Sequence, residues 1–285
     1  MRSGEYIQKR FQAWARRQNH IEGLQGSQGE RGEPNYTLTL QENLFQPLSD
    51  DTRSDYEEGA GRELRGNPCS MQALHSSATM TTNLFDYLRT KNISDKAARI
   101  LRIPSRGIKS MRFERKYPVI DNPENHGLGE PHLNVAFDYD SGCRVGVECK
   151  LFEPFGRLEQ AGLRDAYLEL PEAWDDIPAC RRLAQKLAEG SAGFTRLAPA
   201  QLVKHLLGLK NSLKIHQFRL VYLYYDAPGD EAAAHRAEIR RFAELIADDG
   251  INLQPLSVQE FILRAATVLD DEHTRYINYL SERYL

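Results

Sequence analysis

Apolar positions change their spacing several times along the chain, and each change marks an element. Over residues 5–18, Tyr6, Ile7, Phe11, Trp14 and Ala15 fall on one side of a helix. Residues 22–35 and 49–68 are mostly Gly, Ser and charged side chains, too few of them apolar to offset the entropy of ordering the chain. Residues 1–70 are therefore read as a flexible or partner-dependent N-terminal extension. Beyond residue 75 the pattern tightens. Thr82 is placed to cap a helix carrying Leu84, Phe85 and Leu88, and Ser94 one carrying Ala97, Ile100 and Leu101. Residues 133–139 and 144–151 alternate as strands do, and Asp140-Ser-Gly-Cys143 between them supplies a hairpin turn, with Gly142 free to take positive φ. Pro199 begins a helix running through Leu209. The nearly continuous apolar and aromatic run 218–225 suits a central strand, followed by an Ala-rich helix over 230–248 and a strand over 251–256. Ser257-Val-Gln-Glu260 is a capping box that opens the final helices. Helices before, between and after strands predict an α/β domain with a mixed sheet over residues 71–285.

Charge narrows the choice of partner. The 285 residues carry 37 Lys plus Arg against 40 Asp plus Glu, a formal net charge of −3, so a uniformly basic nucleic-acid coat is excluded. A polyanion must be met by a local cluster or a metal ion. Residues 91–116 form such a cluster, with nine basic side chains against Asp95 and Glu114. Within it Arg106, Lys109, Arg112, Arg115 and Lys116 lie nearest the candidate chemistry and are the expected phosphate contacts. A solvated helix face is the ordinary alternative. No apolar run reaches membrane-spanning length, the first ten residues lack a secretory apolar core, and four cysteines without framework spacing point to reduced thiols in the cytoplasm. Helix-turn-helix, zinc-finger, GxSxG, P-loop and GxGxxG patterns are missing.

The hairpin carries the candidate chemistry. Alternation puts Leu133, Val135, Phe137 and Tyr139 on one face and Asn134, Ala136, Asp138 and Asp140 on the other. In the second strand Val145, Val147, Cys149 and Leu151 oppose Gly146, Glu148 and Lys150. Packing both apolar rows on one core brings Asn134, Glu148 and Lys150 together, a grouping that suits a hard cation such as Mg²⁺. A surface ion pair on a half-exposed hairpin is the plainer reading. Glu-x-Lys alone is weak, since Glu114-Arg-Lys116 repeats it outside an apolar strand. On the helix from Pro199, Gln201, Lys204, His205 and Gly208 share a polar face opposite Leu202, Leu206 and Leu209. His235 reads as a hydrogen-bonded histidine at the core edge, oriented by Glu238, and the Cys149 thiol as a small core group.

Pro131-His-Leu-Asn134 followed by Val147-Glu-Cys-Lys150 resembles the motif pair of the PD-(D/E)XK nuclease superfamily. The wider pattern resembles its branch of restriction endonuclease-like proteins. That pattern is His75-Ser-Ser77, Asn83-Leu-Phe-Asp-Tyr87, Phe113-Glu-Arg-Lys-Tyr-Pro118, Glu148 to Gly156, Gln201-Leu-Val-Lys-His205, Tyr222-Leu-Tyr-Tyr225 and His235-Arg-Ala-Glu-Ile239. The resemblance spans about residues 75–265. It implies a restriction-endonuclease-like αβββαβ core and a phosphodiesterase using Mg²⁺ or Mn²⁺. It also implies metal ligation by Glu114, Glu148, the residue at 134 and the backbone carbonyl of Cys149, with Lys150 positioning the attacking water. Gln201 matches a glutamine placed beside the metal site, and Lys204 and His205 become candidate phosphate contacts.

One position departs from that pattern: the expected Asp is Asn134. An amide oxygen can ligate Mg²⁺ but brings no charge to offset the desolvation of the ion. An introduced inactivating change, natural degeneration, and a tolerated variant compensated by Asp138 or Asp140 all stay open. The implied function is metal-dependent endonucleolytic hydrolysis of DNA in restriction or defence, impaired by Asn134. The alternative is a catalytically inactive nuclease fold that binds nucleic acid or a protein partner. Double-strand cleavage would require a homodimer or two successive nicks, and the sequence leaves that choice open.

Overall fold

The computed structural model describes residues 1–28, 32–59, 62–120, 128, 130–156, 162–211 and 213–285. Part of the glycine-rich stretch, residues 29–31, lies outside the described residues. In chain order the elements are α1 (Ser3–Ala15), β1 (Leu24–Gln25), β2 (Tyr36–Thr37), α2 (Asp50–Glu58), α3 (Ser77–Thr90), α4 (Ser94–Leu101), β3 (Ile108–Lys116), β4 (His132–Tyr139) and β5 (Arg144–Lys150). There follow α5 (Pro178–Ala188), α6 (Pro199–Lys210), β6 (Phe218–Tyr224), α7 (Asp230–Leu245), β7 (Leu253–Ser257), α8 (Val258–Val268) and α9 (Thr274–Tyr284).

β1 and β2 pair as a short antiparallel ladder, and the other five strands form one mixed sheet in the order β3-β4-β5-β6-β7. β3, β4 and β5 are antiparallel neighbours, whereas β5, β6 and β7 run parallel. Helices lead into three antiparallel strands, and α5 and α6 then cross over to the parallel strand β6. This is the expected αβββαβ order of a restriction-endonuclease-like fold. Each face of the sheet is covered by its own core. Val135, Phe137, Val147 and Cys149 pack with α1, α3, α4, α8 and α9, while Ala136, Leu220 and Tyr222 pack with α5, α6 and α7.

Several expected boundaries move. Thr82 is interior to α3, which is capped instead by Ser76, whose hydroxyl accepts from Thr79 N–H. Ser257 does cap α8, accepting from Glu260 N–H at 3.1 Å. β3 and α5 are additional elements that the hydrophobic pattern did not bring out. β3 is an edge strand, and Lys109, Arg112, Arg115 and Lys116 interrupt its alternation. Charged side chains on an edge discourage pairing with other chains, and they hide the strand from a search for apolar periodicity. The expected row Leu133–Val135–Phe137–Tyr139 also breaks, because Leu133 joins the core on the opposite face with Ala136.

The proposed separation of residues 1–70 from the rest has no counterpart in the packing. Ile7, Phe11 and Trp14 of α1 are buried in the same core as Leu84, Phe261 and Tyr284. Polar contacts do the rest, and their long sequence separation explains why apolar spacing gave no sign of them. Asn83 Oδ1 accepts from Phe45 N–H at 2.8 Å, and Asp86 accepts from the Ser49 and Thr52 hydroxyls at 2.7 and 2.6 Å. Asp55 on α2 accepts from Arg89, Arg112 and the Phe113 N–H. The fully buried Arg283 guanidinium joins α9 to the carbonyl and side chain of Asn43. The partner on which this segment depends is thus the remainder of its own chain. Phe11→Ala should cost about 3–5 kcal/mol, the usual range for truncating a buried aromatic. Urea unfolding of the full chain measures it, and a separable extension would leave the main transition unmoved.

Candidate active site

Three adjacent strands deliver the central side chains. β3 and β4 pair Phe113 with Val135, and β4 and β5 pair Val135 with Val147. Continuing both registers by one residue aligns Glu114, Asn134 and Glu148 across the sheet. Glu114 has φ of +45°, a left-handed conformation inside a strand that costs a side-chain-bearing residue on the order of 1–3 kcal/mol. Phe113 and Glu114 are consequently buried in succession. Gly59, at the end of α2, abuts this turn: a Cβ there would stand 2.8 Å from Glu114 Cβ, so the close approach requires glycine. α2 therefore fixes the segment of β3 that carries Glu114, through Asp55 on one side and Gly59 on the other.

Glu148 is the most enclosed carboxylate of the group, 1% exposed. Its Oε1 lies 2.7 Å from Lys150 Nζ and accepts from Gln201 Nε2 at 2.8 Å. His205 Nε2 stands 3.1 Å from Oε2, within ion-pair distance but off the line a hydrogen bond needs, so that this oxygen has no hydrogen-bond partner among the described residues. Burial would raise the Glu148 carboxyl, but the Lys150 ammonium and the His205 side chain outweigh it and hold the group below the usual carboxylate range. Burial likewise works against the charge on Lys150, and Glu148 and Glu153 overcome it, keeping the ammonium above its ordinary value.

Asn134 is engaged on both sides of its amide. Its Oδ1 accepts from Cys149 N–H at 2.8 Å, and its Nδ2 donates to Glu114 Oε1 at 3.1 Å. An aspartate here could keep the first bond but would turn the second into a contact between two carboxylates. Burial pushes the Glu114 carboxyl up to about 8; Asn134 opposes this, while Glu63 and Glu148 add to it. Without a cation, Glu114 is therefore largely protonated at neutral pH.

α6 brings Gln201 and His205, one turn apart, onto the same face of the sheet. Part of the polar face of α6 turns inward: His205 is 2% exposed, and a Cβ at Gly208 would stand 2.5 Å from the Tyr117 carbonyl oxygen. The absence of that carbon lets α6 approach closely enough for Gln201 to reach Glu148. Lys204 lies in an adjoining recess of about 290 Å³ with Arg164, His132 and His205. Burial and the neighbouring Arg164 lower the affinity of Lys204 for its proton.

Glu114, Asn134, Glu148, Cys149, Lys150 and Gln201 line one cleft of about 500 Å³. The cleft also takes in Glu63, His75, His132 and Glu153, to which the sequence assigned no role. His75 and Ser77 belonged to a family pattern without an assigned role. Ser77 now proves to donate to Glu153 Oε2 at 2.6 Å and to accept from Leu151 N–H at 2.9 Å, tying α3 to the chain after Lys150.

The basic cluster divides. Arg112 is ion-paired to Asp55 and Glu58 at 3.0 and 3.1 Å. Arg106 lies at the far end of the sheet, in a groove with Arg144, His216 and Arg219. Lys109 is five residues from Glu114, roughly 16 Å along the strand. Arg115 and Lys116 remain near Glu114, with the Arg115 guanidinium 5.7 Å from the Tyr117 ring centre. Asp138 does not substitute for a missing ligand: it is held by Tyr117 hydroxyl at 2.8 Å and by Ser110. His235 Nε2 meets Tyr222 hydroxyl at 2.9 Å, as expected of a core-edge histidine. Glu238 does not orient it and accepts instead from the N–H groups of Thr195, Arg196 and Leu197.

The donor set is chemically suited to a hard divalent cation. It offers carboxylate and amide oxygens in one cleft, including a buried Glu148 oxygen without a donor. Among the described residues no helix is long and apolar enough to cross a membrane. A family model described as restriction endonuclease associating with ARP matches residues 8–285, a span that takes in most of the N-terminal segment. No curated protein and no solved structure matches the chain.

Proposed function

Because the chain belongs to the family of restriction endonucleases associating with ARP, we propose that it is a metal-dependent endonuclease hydrolysing DNA phosphodiester bonds, with catalysis weakened by Asn134. The observation that carries this reading is the alignment of Glu114, Asn134 and Glu148 on adjacent strands, with Lys150 held 2.7 Å from Glu148. Glu114, Asn134, Glu148 and the Cys149 carbonyl would hold Mg²⁺ or Mn²⁺. A divalent cation, when bound, supplies charge stabilisation at the phosphate oxygens. Lys150 keeps its proton and places a positive charge beside the reacting phosphate. Gln201 fixes one oxygen of Glu148, leaving the other free of a hydrogen bond. Asn134 pins both Glu114 and the Cys149 N–H, which orders the strands at the price of one negative charge. Arg115, Lys116 and Lys204 flank the cleft as contacts for the DNA backbone.

A second reading, a nuclease fold that binds nucleic acid without cutting it, has one observation in its favour. The Asn134 amide is engaged at both its nitrogen and its oxygen, between Glu114 and Cys149, as in a site stabilised without an ion. Plasmid cleavage in MnCl₂, MgCl₂ or excess EDTA separates the two. The nuclease reading expects nicking with either metal and none with EDTA. The binding reading expects intact plasmid throughout, with a retarded complex that weakens as salt is raised.

A further inference from the structure

The carboxylates of the cleft differ in what already occupies them. Glu148 serves Lys150 and Gln201. Glu153 Oε2 accepts from Ser77 hydroxyl and from the N–H groups of Leu151 and Phe152. Glu114 has one amide donor, Asn134 Nδ2. Glu63 differs from all three, since its Oε2 is shut off from solvent and has no hydrogen-bond partner among the described residues.

The backbone at Glu63 is nevertheless fixed. Its carbonyl accepts from Met71 N–H and from Ser70 hydroxyl, both at 3.2 Å, so the turn closes on itself, and Glu63 lines the same cleft as Glu114, His132 and Asn134. An unpaired, desolvated carboxylate oxygen is costly, and more so next to a second carboxylate. Glu114 has the Asn134 amide and, at 3.9 Å, His132 Nδ1 beside it, whereas Glu63 Oε2 has no donor among the described residues, and a cation would relieve both. Position 134 is where the cleft lacks a negative charge, and Glu63 brings one to the same cleft from outside the sheet.

We infer that Glu63 supplies the anionic oxygen that Asn134 lacks, acting as an additional ligand of a divalent cation bound beside Glu114. This rests on the nuclease reading only for its premise that a divalent cation binds in the cleft. Glu63 lies in the segment that sequence patterning would set apart from the catalytic domain, so that segment completes the site as well as the core.

Titration calorimetry of the full chain with MnCl₂ tests this without reference to cleavage. Glu63→Gln preserves shape and removes charge, and should weaken Mn²⁺ binding at least tenfold while leaving metal-free thermal unfolding unchanged or slightly raised. Glu172→Gln, an exposed acid elsewhere, should bind as the parent does. Glu63→Asp withdraws the carboxylate by one methylene and provides the same reading should the glutamine variant fold poorly. Unaltered Mn²⁺ affinity in the folded variants overturns the inference, as does a parent protein that binds no Mn²⁺. A wrong nuclease assignment shows differently: Mn²⁺ binds with dependence on Glu63, yet DNA stays intact.

Discussion

Asn134→Asp should raise Mg²⁺- or Mn²⁺-dependent DNA cleavage by roughly tenfold or more, each factor of ten corresponding to about 1.4 kcal/mol of transition-state stabilisation. The same change should destabilise the metal-free protein. Asn134 Nδ2 is the hydrogen-bond donor to Glu114, and its oxygen holds the Cys149 N–H. Aspartate retains the second contact but replaces the amide donor with a second carboxyl group beside the buried Glu114, for a cost of about 1–3 kcal/mol. Adding Mn²⁺ should reverse the order of stabilities, since an ion that binds only the folded chain stabilises it by mass action. Thermal unfolding of both proteins with and without MnCl₂ measures this crossover, and the rate of plasmid nicking measures the gain in catalysis. A variant equal to the parent in both would show that position 134 is not the deficient ligand.

Lys150→Ala should have the larger effect on the parent fold. The ammonium is the main counter-charge of a carboxylate that is 1% exposed, and only a glutamine amide and the His205 ring would remain beside it. Breaking a buried pair in this way costs about 3–5 kcal/mol. Any metal-dependent cleavage should fall by roughly 10²- to 10³-fold, as when a single charge-stabilising donor is lost. The pH dependence should change as well. Burial disfavours the ionised Glu148, but Lys150 and His205 outweigh it and depress the carboxyl below its unfolded value. That depression adds stability above roughly pH 4, the unfolded carboxylate range, which is lost as pH falls through the folded value. Without Lys150 the depression shrinks, and the acid-side slope of stability should flatten. Urea unfolding between pH 3 and 7 records both effects.

What the sequence revealed depended on the range of the interactions involved. The β4–β5 hairpin and the pairing of Glu148 with Lys150 were legible because period-two alternation and a short turn are local signals. The helix from Pro199 was legible for the same reason, but the depth at which its polar face sits was not. His205 is buried and Gln201 reaches Glu148 because Gly208 lets the helix sit on Tyr117, a contact between distant segments. β3 was hidden by the basic residues of an edge strand. Their charge suggested a single patch, but the strand spreads them along its length and returns Arg112 to Asp55. Leu133 departs from its row next to the point where Glu114 takes positive φ, a local strain that residue identities do not disclose. The N-terminal segment was misjudged on composition. Several of its polar residues are buried partners of α3, β3 and α9, as Thr52, Asp55 and Asn43 show.

The proposed chemistry of this cleft is DNA hydrolysis through its Glu114–Asn134–Glu148–Lys150 arrangement. The most direct measurement compares plasmid cleavage in Mn²⁺ by Asn134→Asp and by the same protein also carrying Lys150→Ala, both checked for folding. EDTA-sensitive cutting by the first and its loss in the second are expected. Equal cutting by both, or none by a folded Asn134→Asp protein, would contradict it.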